Sequence, residues 1–194
     1  MQQRERVYSV LLACASDKFS GAMTALLPPP LYDPPVCVSD GNTARQKLLE
    51  RGFDLVILSD PLPDGSAVRL ALDVCENSGS GVLLFVGADA YPDVSGRLTA
   101  AGVLVLQKPA TPVAVRQSLT LLCATRERLR RLEERAATMQ EKMEEIRLVN
   151  RAKWLLIDQL RMTEAQAHRY IEKQAMDRCI SRRAVAENIL AVYK

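Results

Sequence analysis

Side chains that act as nucleophiles or metal ligands are sparse in this sequence. It has one histidine, His168, and five cysteines that stand singly, with no C-x-x-C pair: Cys14, Cys37, Cys75, Cys123 and Cys179. Zinc sites need clustered cysteine and histidine ligands, and isolated cysteines are most often buried thiols. The sequence also lacks a Gly-rich phosphate loop and a nucleophile with a nearby base. We therefore expect reduced thiols, no bound metal, no cofactor and no enzymatic activity.

Polar residues follow two apolar runs, in positions where phosphoryl chemistry is possible. Ser59 and Asp60 follow "FDLVIL", and Lys108 follows "GVLVLQ". A carboxylate can accept a phosphoryl group, and a lysine can hold the phosphoryl oxygens. Such chemistry requires that the elements carrying these residues bring them together.

Five apolar runs rich in Val, Ile and Leu predict five strands, and stretches with helical spacing separate them. The runs cover residues 7–14, 36–40, 53–59, 81–87 and 102–109. Strands that are apolar on both faces and alternate with helices predict a parallel sheet covered by helices on each side. We therefore predict an α/β flavodoxin-like (βα)5 domain, whose functional sites lie at the carboxyl ends of its strands.

Glycine, proline and charge mark a domain boundary near Pro112. All 9 glycines and 10 prolines lie at or before this residue, so residues 113–194 contain no helix breaker. Residues 1–125 carry 10 Lys and Arg against 12 Asp and Glu, whereas residues 126–194 carry 16 against 11. We predict a sheet domain over 1–112, a linker over 113–150 that continues its last helix, and a basic helical domain over 151–194.

The linker carries a narrow apolar seam. From Leu129 onward its apolar residues recur in steps of three and four, which is heptad spacing. The predicted seam consists of Leu122, Leu129, Leu132, Ala136, Met139, Met143 and Ile146. A seam this narrow favours pairing with a second helix, so we predict a parallel homodimeric coiled coil. The alternative is one long solvated helix on its own domain, and Asn150 either fixes the register of the pair or marks the end of the seam.

Two further helices follow, each with a start signal. Thr163 and Gln166 form a capping-box pattern, and Ser181 is a favoured N-cap residue. Together with "AKWLLIDQL", these helices predict a compact three-helix bundle.

The segment 151–190 resembles the ANTAR domain, an RNA-binding antitermination module found at the carboxyl end of many bacterial response regulators. Its matching landmarks are Ala152-Lys153, Leu156, Met162-Thr163-Glu164, Ala167, Tyr170-Ile171, Ala175-Met176, Ala186 and Ile189. The resemblance implies binding to paired stem-loops in a leader transcript, which prevents a terminator hairpin from forming. A dimer suits such a target because two bundles can engage neighbouring hairpins.

Basic residues of this segment are the expected RNA contacts. Over residues 151–183 they outnumber the acids by about four charges, an excess that favours binding to phosphates. Arg169 and Lys173 share a helix face, and Tyr170 either stacks on a splayed base or lies in the core or at its rim. We place His168 on the polar face, with no role as a ligand or base. The predicted contacts are Arg151, Lys153, Arg161, His168, Arg169, Tyr170, Lys173, Arg178, Arg182 and Arg183.

Residues 1–112 resemble, more loosely, the receiver domain of response regulators, through "DLVILSDPLPDG" and the Lys108-Pro109 pair of "LQKPA". Receiver phosphorylation needs an acidic pair after the first strand, an acceptor aspartate, a hydroxyl and a lysine. Here the acceptor position falls on Ser59, "ACAS" (13–16) has no carboxylate, and Gly87-Ala88 stand where the hydroxyl is expected. We therefore predict a degenerate phosphoacceptor pocket formed by Ser59, Asp60 and Lys108.

Asp60 is the one residue that could restore phosphorylation. Neighbouring residues on a strand point to opposite faces, so its carboxylate is expected to face away from the pocket unless the loop bends it back. Asp64 lies in a Pro-Asp-Gly turn and is interpreted as a turn residue. Loss of the other carboxylates argues against a histidine kinase partner.

The residues and the two resemblances together predict a phosphorylation-independent, RNA-binding antiterminator. Two alternatives stay open: a response regulator phosphorylated on Asp60, and a protein-interaction or DNA-binding module built on the coiled coil. The sequence has no run of about 18 apolar residues and no secretory signal, so we expect a cytoplasmic protein with no membrane contact.

Overall fold

The computed structural model describes residues 6–193. The chain divides into two compact units, Met1–Arg131 and Leu132–Lys194. Each unit has its own hydrophobic core, and the second unit begins inside the segment predicted as a linker.

The first unit contains a five-stranded parallel sheet, which confirms the predicted fold. Its strand order is β2-β1-β3-β4-β5, the order of flavodoxin-like domains. Each strand lies within one of the five predicted apolar runs. The strands are β1 (Val10–Ala13), β2 (Val36–Val38), β3 (Leu55–Ser59), β4 (Gly81–Val86) and β5 (Leu104–Gln107).

Helices connect the strands, and polar side chains begin three of them. The helices are α1 (Asp17–Thr24), α2 (Gly41–Glu50), α3 (Ala67–Asn77), α4 (Tyr91–Ala100) and α5 (Pro112–Leu160). Ser16, Asp40 and Ser66 each accept a hydrogen bond from a backbone N–H in the first turn of the helix that follows. Such caps satisfy amide groups that have no partner inside the helix.

Two apolar clusters cover the two faces of the sheet. One joins the strands to α2, α3 and α4, through residues such as Ala44, Leu70 and Leu98. The other joins them to α1 and the first turns of α5, through residues such as Met23 and Leu122. Two covered faces explain why the strands are apolar throughout, with no alternation of polar residues.

The predicted seam requires a correction at Leu122, which is buried. Its side chain is only 6% exposed and belongs to the core of the first unit. A Cβ atom placed on Gly81 of β4 would lie 3.3 Å from Leu122 Cδ2, so α5 packs closely on the sheet at this point. Leu122 therefore cannot contribute to a seam between two chains.

The second unit is a helical bundle, built from the α5 residues after 131, α6 (Glu164–Arg178) and α7 (Arg182–Val192). Its core contains Ala152, Leu156, Ala167, Ile171, Ala175, Val185, Ala186 and Ile189. Leu148 and Val149 pack against this core, so the bundle uses residues that precede the predicted start at 151.

The predicted helix starts of this unit are confirmed. Thr163 Oγ1 accepts from the backbone N–H of Gln166, and Gln166 Oε1 accepts from the backbone N–H of Thr163, which completes the capping box. Ser181 caps α7 through the backbone N–H of Ala184. Between Leu160 and α6, Arg161 has a left-handed φ of 56°, which stops the long helix without glycine or proline. None of the helices within residues 6–193 is long and apolar enough to cross a membrane.

Candidate functional site

Ser59 and Lys108 meet at the carboxyl end of the sheet. Ser59 ends β3 and is 8% exposed, and Lys108 directly follows β5. Lys108 Nζ donates to Ser59 Oγ at 3.3 Å and also to the backbone carbonyl of Asp60. The ammonium group therefore contacts a neutral hydroxyl and a neutral carbonyl at the predicted acceptor position.

The Asp60 carboxylate is used at the start of α3. Its Oδ1 accepts from the backbone N–H of Ala67 at 2.9 Å and from Ser66 Oγ at 3.3 Å. A carboxylate in this position is stabilised by the free amides and the positive dipole end of the helix. The side chain of Asp60 therefore stabilises the start of α3, and only the backbone carbonyl of Asp60 contacts Lys108.

Asp64 requires a correction, because it does more than form a turn. Its Oδ1 accepts from the backbone N–H of Gly41 at 2.8 Å, and its Oδ2 accepts from that of Asn42 at 2.7 Å. These hydrogen bonds, that of Gly41 above all, hold the pKa of Asp64 below its ordinary value. The carboxylate thereby ties the loop after β3 to the first turn of α2.

The Asp60 and Asp64 carboxylates at this end of the sheet are therefore engaged with backbone amides. Asp17 lies in the first turn of α1, and Gly87 and Ala88 follow β4 without a hydroxyl. In the part of the chain that the structure describes, no group of three or more His, Cys, Asp or Glu side chains could hold a metal ion. The arrangement offers a lysine and a serine hydroxyl, which suit an anion better than a divalent cation.

The remaining seam residues form an exposed apolar stripe on α5. Leu129, Leu132, Met139, Met143 and Ile146 all have more than a third of their surface exposed. Ala136 is exposed as well, and so is Asn150. These side chains are not used by the core of either unit, so the stripe is free to contact another helix.

Four of the predicted RNA contacts form ion pairs within the second unit. Each pair lies on the bundle surface or spans two of its helices, which reduces the positive charge available to a phosphate. The pairs are Lys153–Glu164 at 3.1 Å, His168–Glu172 at 3.2 Å, Arg182–Glu145 at 3.6 Å and Arg183–Glu187 at 2.9 Å.

The other five basic residues are exposed and, within residues 6–193, form no ion pair: Arg151, Arg161, Arg169, Lys173 and Arg178. Arg169 and Lys173 lie one turn apart on α6 and share a face. Tyr170, the neighbour of Arg169, is 39% exposed and so does not lie in the core. The structure therefore brings two cations and an aromatic ring together on one exposed part of α6.

Trp154 was missed by the sequence interpretation. It is 70% exposed on α5 and lines an open cleft of about 520 Å³ with Arg151, Asp158 and Tyr193. The spacing of the core residues could have predicted that Trp154 is exposed. Ala152 and Leu156 define the buried face, and a residue midway between them lies about 200° away around the helix.

The second unit matches a known family model. The ANTAR domain model matches residues 137–190, which begin inside the predicted linker and end within α7. A curated relative matches both units: the transcriptional regulatory protein PdtaR of Mycobacterium tuberculosis is 30% identical over 152 residues, which cover 78% of this chain and 74% of the relative.

Solved structures match the first unit in fold. A response regulator receiver domain protein from Clostridium thermocellum has a TM-score of 0.56 and 14% identity, covering 65% of this chain and 99% of its own. The structure of an adenylate cyclase from Rhodopirellula baltica has a TM-score of 0.62 and 12% identity, and the match covers 68% of this chain and 98% of the cyclase chain. At these identities the similarity shows the fold alone.

A sheet domain with the receiver fold, followed by a helical segment that matches the ANTAR model, defines the class of the protein as a transcriptional regulator with an ANTAR domain. The chain belongs to the family of ANTAR-domain transcriptional regulators that includes PdtaR.

Proposed function

We propose that this protein is an RNA-binding transcription antiterminator that acts as a homodimer and needs no aspartyl phosphorylation. One observation carries the proposal: Arg169 and Lys173 are exposed beside Tyr170, inside the segment that matches the ANTAR domain, and form no ion pair with any residue that the structure describes. A regulator of transcripts acts where transcripts are made, so we also assign it to the cytoplasm. Its relatives are transcriptional regulators, and we assign it no enzymatic activity.

Stem-loop RNA suits the chemistry of this face. The two cations on α6 neutralise backbone phosphates, and an exposed aromatic ring stacks on an unpaired loop base. Trp154 and Arg151, both exposed on α5, add a second ring and a third cation. RNA loops expose splayed bases that duplex DNA does not, and so the two aromatic residues favour RNA over a DNA-binding role.

The exposed stripe on α5 supports the dimer. Its five large apolar residues follow heptad spacing and are not buried by the core of either unit. A dimer that is paired through this stripe carries two bundles, one from each chain. Two linked bundles bind two neighbouring stem-loops more tightly than one, because the second contact becomes intramolecular.

The pocket at the end of β3 supports independence from phosphorylation. Ser59 is a neutral hydroxyl and a poor nucleophile toward a phosphoryl donor. The Asp60 carboxylate accepts two hydrogen bonds at the start of α3, so it is engaged away from Lys108. Without a cluster of carboxylates, Mg²⁺ has few oxygen ligands here.

Crosslinking of the full-length protein to cellular transcripts, followed by sequencing, tests the proposal. We expect enrichment of leader transcripts with two adjacent stem-loops, and loss of that enrichment for Arg169→Ala combined with Lys173→Ala. The matched control combines Arg45→Ala with Lys47→Ala, two cations of α2 in the first unit. Equal crosslinking by wild type and the α6 variant would overturn the assignment, and enrichment of DNA would favour the DNA-binding alternative.

A further inference from the structure

An apolar cavity of about 690 Å³ lies in the first unit beside α1 and the start of α5. Its walls include Phe19 and Met23 of α1, Leu26 just after that helix, Phe85 of β4 and Val115 of α5. This volume falls within the usual range of small-molecule sites, which combine apolar walls with a few polar groups. The proposed RNA function makes no use of it.

The charged residues that line this cavity are both lysines, Lys18 and Lys108. In residues 6–193 neither forms an ion pair, and the Lys108 ammonium is bonded only to a hydroxyl and a carbonyl oxygen. No carboxylate is among the lining residues, and that of Asp60 is held at the start of α3. A half-buried cation without a counter-ion is stabilised by an anion that enters from the cavity.

We propose that this cavity binds a small carboxylic acid with an apolar body. The carboxylate pairs with Lys108, with Lys18 adding positive charge, and the apolar body lies against Phe19, Phe85 and Val115. Inorganic phosphate does not suit the site, because most of the wall is apolar. A divalent cation does not suit it either, because the lining supplies positive charge and no carboxylate ligand.

The position of the site gives a bound acid a direct contact with α5. Pro112 and Val115, which line the cavity, lie in the first turn of this helix. A ligand that binds only the folded protein stabilises it by an amount that grows with the logarithm of its concentration relative to Kd. A bound acid is therefore expected to raise the melting temperature of the full-length protein as well as to give a binding isotherm.

Calorimetric titration of the full-length protein with decanoate tests this inference, with decanol as the uncharged probe of equal chain length. We expect saturable binding of decanoate, and binding of decanol that is weaker by about tenfold or more, as expected for loss of one charge-assisted contact. Lys108→Met should weaken decanoate binding by a similar factor. Lys47→Met is the matched control, because this α2 lysine pairs with Glu50 and does not line the cavity.

A second variant keeps the test decisive if Lys108→Met unfolds. Ala22→Phe places a ring into the cavity from an exposed position of α1 and changes no charge. It should abolish decanoate binding while circular dichroism stays unchanged. Absence of decanoate binding to the wild type, equal binding of decanol, or equal weakening by Lys47→Met would each overturn the inference.

Discussion

Two leucines on the same helix should respond differently to the same substitution. Leu122 and Leu132 both lie on α5, ten positions apart. Leu122 is 6% exposed in the core of the first unit, whereas Leu132 is 50% exposed and lies on the apolar stripe. Leu122→Ala should therefore lower stability, and Leu132→Ala should weaken the dimer.

The structure sets the expected magnitudes. Truncation of a buried leucine leaves a cavity and costs about 2–5 kcal/mol of folding free energy, so we expect this loss for Leu122→Ala. Full burial of a leucine contributes about 1.5–3 kcal/mol, so burial of the exposed half of Leu132 contributes about 1 kcal/mol. A symmetric dimer contains two copies, and their combined loss of about 2 kcal/mol raises Kd more than tenfold.

Urea unfolding and sedimentation velocity over a dilution series measure the two effects separately. Leu122→Ala should shift the unfolding midpoint of the first unit and leave the dimer Kd within a few-fold of wild type. Leu132→Ala should shift the Kd and leave unfolding of the first unit within about 0.5 kcal/mol, as expected for an exposed site. The placement of the seam would be refuted if Leu132→Ala dimerised like wild type, or if Leu122→Ala weakened the dimer with no loss of stability.

Three further predictions follow from the sites. The pKa of Asp64 is lowered by the amides of Gly41 and Asn42, so its stabilising effect is present above about pH 4, the ordinary pKa of an aspartate, and disappears as pH falls through the lower folded-state pKa. Asp64→Asn should accordingly lower the melting temperature at pH 7, and its difference from wild type should shrink as pH falls below about 4; a difference that does not change with pH would contradict the capping role. Acetyl phosphate with Mg²⁺ should leave wild type without an aspartyl phosphate, and a phosphate that Asp60→Asn removes would restore the phosphorylation alternative. Trp154→Ala should leave the melting temperature unchanged and weaken stem-loop binding by at least about fivefold in fluorescence anisotropy, since stacking on one base contributes about 1–3 kcal/mol; unchanged affinity would remove Trp154 from the RNA face.

Much of the fold follows from local patterns in the sequence. The five strands come from apolar runs that alternate with helices, and the start of α6 comes from the Thr163–Gln166 capping box. Leu122 was misplaced because two apolar spacings meet at this residue. It lies seven positions from both Val115 in the core and Leu129 in the stripe, and spacing alone does not show which of the two it joins.

The candidate sites depend more on tertiary contacts. Asp64 caps a helix that begins 23 positions earlier, at Gly41, and no local pattern encodes a hydrogen bond over that distance. The ion pair of Lys153 with Glu164 likewise forms across two helices, so a count of basic residues overstated the charge free to meet phosphate. Only the three-dimensional structure distinguishes the cations that form ion pairs from Arg169 and Lys173, which do not pair with any described residue.

Binding of a fluorescent leader RNA with two adjacent stem-loops to the unphosphorylated full-length protein tests the central claim most directly. We predict saturable, salt-dependent binding, with an anisotropy-derived affinity that falls sharply for Arg169→Ala combined with Lys173→Ala. The slope of log K against log salt concentration should also become shallower by about two for each bound bundle, since two phosphate contacts are lost. Equal affinity and slope for wild type and this variant, or binding that appears only after phosphorylation, would contradict the account.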